Sequence, residues 1–173
     1  MGVAQNPALD SAQLSMDNTM VTRREWLRSS LAGSAALLVA NRFAEAAVAP
    51  APIAITVYKT PACGCCKAWV KHLEANGFAV TAHDMPSVDE IKTTQRVPAA
   101  LESCHTAIVG RYTIEGHVPA DVIKHMLQEK PAILGLAVAG MPMGSPGMEG
   151  GRNESYEVIA FERDGKTRVY AKR

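Results

Sequence analysis

Three of the four cysteines in this 173-residue chain fall within four positions, in the stretch Lys59-Thr60-Pro61-Ala62-Cys63-Gly64-Cys65-Cys66-Lys67. Cys63 and Cys66 form a Cys-x-x-Cys pair, and at three residues' separation they can share one face of a helix. Cys65 is the addition. A redox dithiol needs two thiols, whereas three point toward a soft-metal site. Cys104, next to His105, is the remaining thiol. Three readings are open on the residues alone: a redox dithiol Cys63/Cys66, a structural disulfide, or a metal site that joins the cluster to Cys104. A bridge inside the cluster closes almost no loop and so removes little unfolded-state entropy, which makes it a poor staple.

If a metal is held, thiolates and thioethers select Cu(I), zinc or an iron–sulfur cluster. Closed zinc sites take paired cysteines from two knuckles, and here one knuckle is over-supplied. Iron–sulfur centres use wider spacings. Copper suits the pattern best, and thiolates on adjacent positions can bridge more than one ion. Met141, Met143 and Met148 lie in a Gly/Pro-rich loop rather than on a helix face, which makes Met141 and Met143 candidates for ligation or copper entry. Met126 reads as core. His105 and His117 are the credible imidazole ligands, while His72 reads as surface, His83 as a polar strand end and His125 as a structural helix residue.

The elements around these residues follow from periodicity. The apolar, β-branched run Ile53 to Tyr58 predicts a buried strand. Lys67 to Gly77 predicts a helix closed by Asn76-Gly77. The thiols therefore sit where a strand hands over to a helix N-terminus, whose free N–H groups favour thiolate. Phe78 to Asp84 predicts a second strand, and Ser87-Val88-Asp89-Glu90 reads as a capping box opening a short helix to about Gln95. Thr106 to Val109, a turn at Gly110-Arg111 and Tyr112 to Glu115 predict a hairpin, with a helix from Ala120 to Glu129 after Pro119. Leu134 to Ala139 is apolar. Tyr156 to Glu162 and Thr167 to Ala171 predict a closing hairpin around Asp164-Gly165. Strand, helix, strand, helix, hairpin, helix is the element order of an α/β thioredoxin-like domain, here with an added C-terminal β-hairpin.

The formal net charge of +1 and the sparse aromatics, 5% of residues, give no reason to expect nucleic acid or an anionic membrane as partner. There is no nucleophile elbow, phosphate loop or dinucleotide fingerprint. Asp89 and Glu90 read as helix-start charges. Ahead of the domain, Thr22-Arg23-Arg24-Glu25-Trp26-Leu27 followed by an apolar run from Leu31 to Ala40 resembles a twin-arginine export signal. That run is shorter than the ~20 apolar residues a membrane-spanning helix takes. Ala44-Glu45-Ala46 offers a cleavage site. The expected organisation is an export signal over 1–46, a linker over 47–52 and one domain over 53–173, with no membrane span after the signal is removed.

Four motifs in order carry a resemblance: Thr60-Pro61-x-Cys63-Gly64-Cys65-Cys66, Ser103-Cys104-His105-Thr106-Ala107, Glu115-Gly116-His117-Val118-Pro119, and Met141-Pro142-x-Gly144-Ser145-Pro146-Gly147-Met148-Glu149. Together they resemble the CopG-type periplasmic copper-resistance family, over about Ile53 to Tyr170. The resemblance implies a thioredoxin-like fold, a periplasmic location and copper held by cysteine thiolates. It carries Cys63, Cys65, Cys66 and Cys104 over as ligands and places His117 and Met143 in motif positions, as candidate ligands. The expectation is an exported protein that holds Cu(I), with room for more than one ion, for copper handling alongside a periplasmic partner protein. The alternative is a periplasmic thiol-disulfide or copper oxidoreductase working through Cys63/Cys66.

Overall fold

The computed structural model describes residues 51–173. The expected export signal over 1–46, and most of the linker, lie outside the described residues. One seven-stranded sheet runs through the described chain in the order β2-β1-β3-β4-β5-β6-β7. Its strands are β1 (Ile53–Lys59), β2 (Phe78–Asp84), β3 (His105–Val109), β4 (Tyr112–Glu115), β5 (Gly135–Ala137), β6 (Glu157–Phe161) and β7 (Thr167–Lys172). The helices are α1 (Gly64–Ala75), α2 (Asp89–Thr94) and α3 (Ala120–Glu129), with a 3-10 turn over Ala99–Leu101. The architecture is thus a mixed α/β sheet with three helices among the described residues.

The expected order of elements holds. β1 and β2 pair in parallel across α1, and β3 pairs antiparallel with both β1 and β4. β1 buries Ile55, Val57 and Lys59 on one face, the alternation that a half-covered strand requires. The predicted closing hairpin is β6–β7. It extends the same sheet through β5, which lies parallel to β4 and antiparallel to β6. The capping box is a correction. Val88 is the residue ahead of α2 and supplies no side-chain cap; the Ser87 hydroxyl instead accepts the Asp89 N–H at 3.1 Å.

Helix α1 begins three residues earlier than expected, at Gly64, so Cys65 and Cys66 are part of its first turn and Cys63 stands just ahead of it. Cys66, Trp69 and Leu73 sit at i, i+3 and i+7, all buried, and form the stripe that α1 lays on the sheet. Burying side chains the size of Leu73 contributes roughly 1.5–3 kcal/mol each. α3 buries Val122, Ile123 and Met126 in the same core, as expected for Met126. The helix ends where Lys130 turns left-handed, at φ 52°, before Pro131.

Candidate metal centre

The site is built where the C-terminal end of β1, the start of α1, the start of β3 and the end of β4 meet. Cys63 is the residue ahead of α1, and its sulfur accepts the Cys66 N–H at 3.3 Å, the part a Ser or Asp side chain ordinarily plays at a helix start. Cys63 and Cys66 are joined in a disulfide, with Cα atoms 5.3 Å apart. Cys65 and Cys104 are free and half-buried. The Cys65 sulfur lies 3.3 Å from that of Cys63 and 4.0 Å from that of Cys104, across 39 residues of sequence. All four sulfurs lie within 4.8 Å of one another. Cys104 therefore converges on the cysteine turn, because β3 runs antiparallel to β1 and brings His105 opposite Lys59.

Cys104 also belongs to a second group. Its sulfur is 3.2 Å from Nε2 of His117 and 3.4 Å from Nδ1 of His105. Both imidazoles are fully buried. The His105 ring packs on Trp69, centroids 4.3 Å apart, and on His117 at 5.2 Å. The Trp69 indole N–H donates to the Val118 carbonyl at 2.9 Å, so one α1 side chain braces both histidine-bearing segments. Nε2 of His105 and Nδ1 of His117 have no hydrogen-bond partner among the described residues.

Electrostatics at this corner follow from burial. Desolvation, then the neighbouring His117 and Lys92, hold the His105 pKa down at about 3. His117 is lowered mainly by burial, with the Pro146 carbonyl and Glu149 pulling the other way. Both rings are neutral at neutral pH and can donate lone pairs. Burial, then the adjacent Cys65, pushes the Cys104 thiol up to about 11. A metal ion binding there must displace that proton, which makes binding pH-dependent.

The methionine loop closes over the cysteine turn. A Cβ on Gly147, at φ +90°, would meet the Cys65 carbonyl at 2.7 Å and the Trp69 amide at 2.9 Å. Only a glycine lets the loop come this close to α1. Gly116 has the same office beside the histidines: at φ +69°, a Cβ would meet the Val138 carbonyl at 2.5 Å and Ser103 Oγ at 2.7 Å. Met141, 51% exposed, has its sulfur 3.7 Å from that of Cys65. Met143 is placed differently, with its methyl over Gly151.

Two solved structures, both of a copper resistance protein CopG (its forms 1 and 2), match this fold with a TM-score of 0.67 at 46% identity. Each match covers 70% of this chain and 98% of the other. The chain belongs to the CopG copper-resistance family. A family model described as a protein of unknown function, DUF411, matches residues 101–148. That stretch of the CopG-family chain includes Cys104, His105, His117 and the methionine loop. No curated protein matches the chain.

The other sequence-predicted residues fall as follows. His83 stands at the end of β2, exposed and stacked on Tyr58 at 5.4 Å, as a polar strand end. His125 is on α3, 3.2 Å from Glu129. His72 is not a plain surface residue: it is half-buried, and its Nε2 accepts the Ala120 N–H at 3.1 Å, capping α3 from α1. Sequence reasoning missed Lys92, Thr106 and Glu115, a buried polar group behind Cys104. The one sequence signal was a carboxylate closing the short strand Tyr112–Glu115, directly before Gly116-His117.

Proposed function

We propose that this chain is an exported copper-binding protein that, with the Cys63–Cys66 bond reduced, holds Cu(I) through Cys63, Cys65, Cys66 and Cys104 for copper handling. The observation that carries the reading is the convergence of Cys104 on the cysteine turn, with the four sulfurs within 4.8 Å. Sulfurs sharing an ion at metal–sulfur distances of about 2.3 Å must lie within roughly 4–5 Å of one another. Neutral His117 and the thioethers of Met141 and Met143 are the candidate additional ligands, all of a softness that suits Cu(I). Adjacent thiolates leave room for more than one ion. Membership of a family whose solved members are named for copper resistance supports the same cargo. The β-α-β-α-β-β-α order and the Cys-x-x-Cys at the start of α1 support a thioredoxin-like assignment for the first part of the sheet.

A second reading draws on the Cys63–Cys66 bond. Two Cu(I) ions could each give one electron to that disulfide, which would break to two thiolates as the ions leave as Cu(II). In reverse, the dithiol would reduce two Cu(II) and re-form the bond. The 3.3 Å approach of Cys65 to Cys63 also suits thiol–disulfide exchange, in which the Cys65 sulfur attacks Cys63 and Cys66 leaves as a thiolate.

The deciding experiment is Cu(I) titration of the reduced protein against a competing chelator, beside an insulin-reduction assay, on wild type, Cys65→Ser and Cys104→Ser. The carrier reading expects each substitution to lower affinity by at least ~100-fold, more than loss of an outer-shell partner costs, with no reductase activity in wild type. Unchanged copper binding together with substantial reductase activity in all three proteins would replace it with the oxidoreductase reading. Export rests on Arg23-Arg24 and the apolar run behind them. Lys-Lys at those positions should leave precursor in the cytoplasm, and a periplasmic protein with an intact N-terminus would sink the cleavage claim.

A further inference from the structure

Behind Cys104 lies a buried polar group that touches none of the candidate ligands' metal-facing atoms. Glu115, the last residue of β4, is fully buried, and so in effect is Lys92, which reaches in from α2. The Lys92 ammonium pairs with Oε1 of Glu115 and donates to the Thr106 hydroxyl at 3.2 Å. Thr106, opposite Glu115 in the β3–β4 register, donates its hydroxyl to Oε2 at 2.6 Å. The remaining bond is the informative one: the Ser103 backbone N–H donates to Oε1 at 2.6 Å. On the other side of Cys104, the His105 carbonyl accepts the Gly116 N–H at 3.0 Å. Cys104 thus has both chain neighbours pinned, one to Glu115 at the end of β4 and the other to the residue that follows it. The Ser103 hydroxyl extends the tie, donating to the Gly140 carbonyl at 2.7 Å where the methionine loop begins.

A buried ion pair is a poor source of stability, since apolar residues of similar volume often do as well or better. What this pair supplies is a carboxylate fixed at one point by the Lys92 and Thr106 donors, with an oxygen aimed at the Ser103 amide. β3 starts only at His105, so the sheet ladder does not reach the residue before Cys104. The bond from Glu115 is what ties the Ser103 backbone to β4.

We propose that Glu115 is a positioning residue for the metal centre, holding the Ser103–Cys104 corner so that the Cys104 sulfur stays within ligand range of Cys65 and His117. Lys92 and Thr106 keep the carboxylate in place. The inference rests on the Cu(I)-binding reading, and it has a readout of its own. The test compares wild type with Lys92→Met/Glu115→Leu, which replaces the pair by apolar side chains. Lys92→Met/Glu115→Gln serves as the conservative rescue, because it keeps an acceptor oxygen for Ser103 without a buried unpaired charge. Each protein is measured by native-state exchange of the Ser103 amide, by denaturation, and by Cu(I) competition after reduction.

The Leu variant should fold, exchange Ser103 at least ~10-fold faster, and bind Cu(I) about 10–100-fold more weakly, the range for outer-shell partners of a metal site. The Gln variant should recover most of both losses. Two results would overturn the assignment: fast Ser103 exchange in wild type, which decides the matter even if the Leu variant does not fold, or lost protection with wild-type Cu(I) affinity. If wild type binds no Cu(I) while Ser103 is protected in wild type and loses that protection in the Leu variant, the copper reading fails and the clamp stands.

Discussion

The turn that carries Cys63, Cys65 and Cys66 is local in sequence, half-exposed except for Cys66, and held by the start of one helix. The corner that carries Cys104, His105 and His117 is assembled from the beginning of one strand and the end of another, with both rings sealed from solvent. The turn contributes clustered sulfur that can ionise or pair. The corner contributes neutral nitrogen donors and a thiol that gives up its proton reluctantly. A soft ion entering between them would meet clustered sulfur on one side and a rigid, buried wall on the other. The contrast shows that the abundant cysteines do not by themselves define the site; the buried corner decides where their fourth partner stands.

Three perturbations test how far the two regions are separate. The largest effect is expected from Trp69→Ala, because Trp69 belongs to the cysteine helix yet braces His105 and the Val118 carbonyl. Loss of this buried ring should cost about 3–5 kcal/mol in chemical denaturation. A cost below ~1 kcal/mol would mean that the corner stands without the helix. Gly147→Ala acts first on the turn, although Pro146 beside it also reaches His117. With φ at +90° and the Cys65 carbonyl 2.7 Å from the new methyl, it should cost roughly 1–3 kcal/mol and displace the loop that bears Met141. Chemical shifts should move at Cys65 and Trp69 while His105 stays put; the opposite pattern would assign the loop to the corner instead.

The third effect belongs to the corner, is spread over several pH units and is smallest per unit step. His105, His117 and His72 are all held below their ordinary value of 6.5, so the folded state resists protonation that the unfolded chain accepts. Their contribution to stability is complete above pH 6.5 and is lost as pH falls, for His105 down to about 3. Around pH 5, His105 alone should make unfolding take up about one proton, or ~1.4 kcal/mol per pH unit. Glu115, raised by burial, has the opposite sign and offsets part of this at the acid end. A denaturation free energy that is flat from pH 7 to pH 5 would show that water reaches these rings.

The strands and helices are legible wherever side-chain period and turn residues agree. Ala120–Glu129 and the turn at Gly110-Arg111 stand where the sequence places them. The start of α1 is not legible because a cysteine sulfur does the capping, and sulfur is not among the side chains that signal a helix start. β5 has three residues, all buried, and so no alternation to read. The convergence of Cys104 on the cysteine turn depends on strand order, which no local pattern specifies. His72 and Glu115 are hidden for the same reason: their partners lie 48 and 23 residues away. Short-range pattern describes an element, whereas a polar contact across the sheet exists only once the sheet does.

Gly116 bears on how this chain can drift in sequence. Gly110 also has positive φ but open space around it, so a residue such as Asn can replace it with modest strain. At Gly116 both the backbone angle and the Val138 carbonyl exclude any side chain. Substitutions should therefore be purged there even in variants that have lost a cysteine and no longer handle metal, because what fails is folding rather than ligation. Gly116 followed by His117 is accordingly a steadier mark of descent for this fold than the cysteine run, which can change with function while the sheet persists.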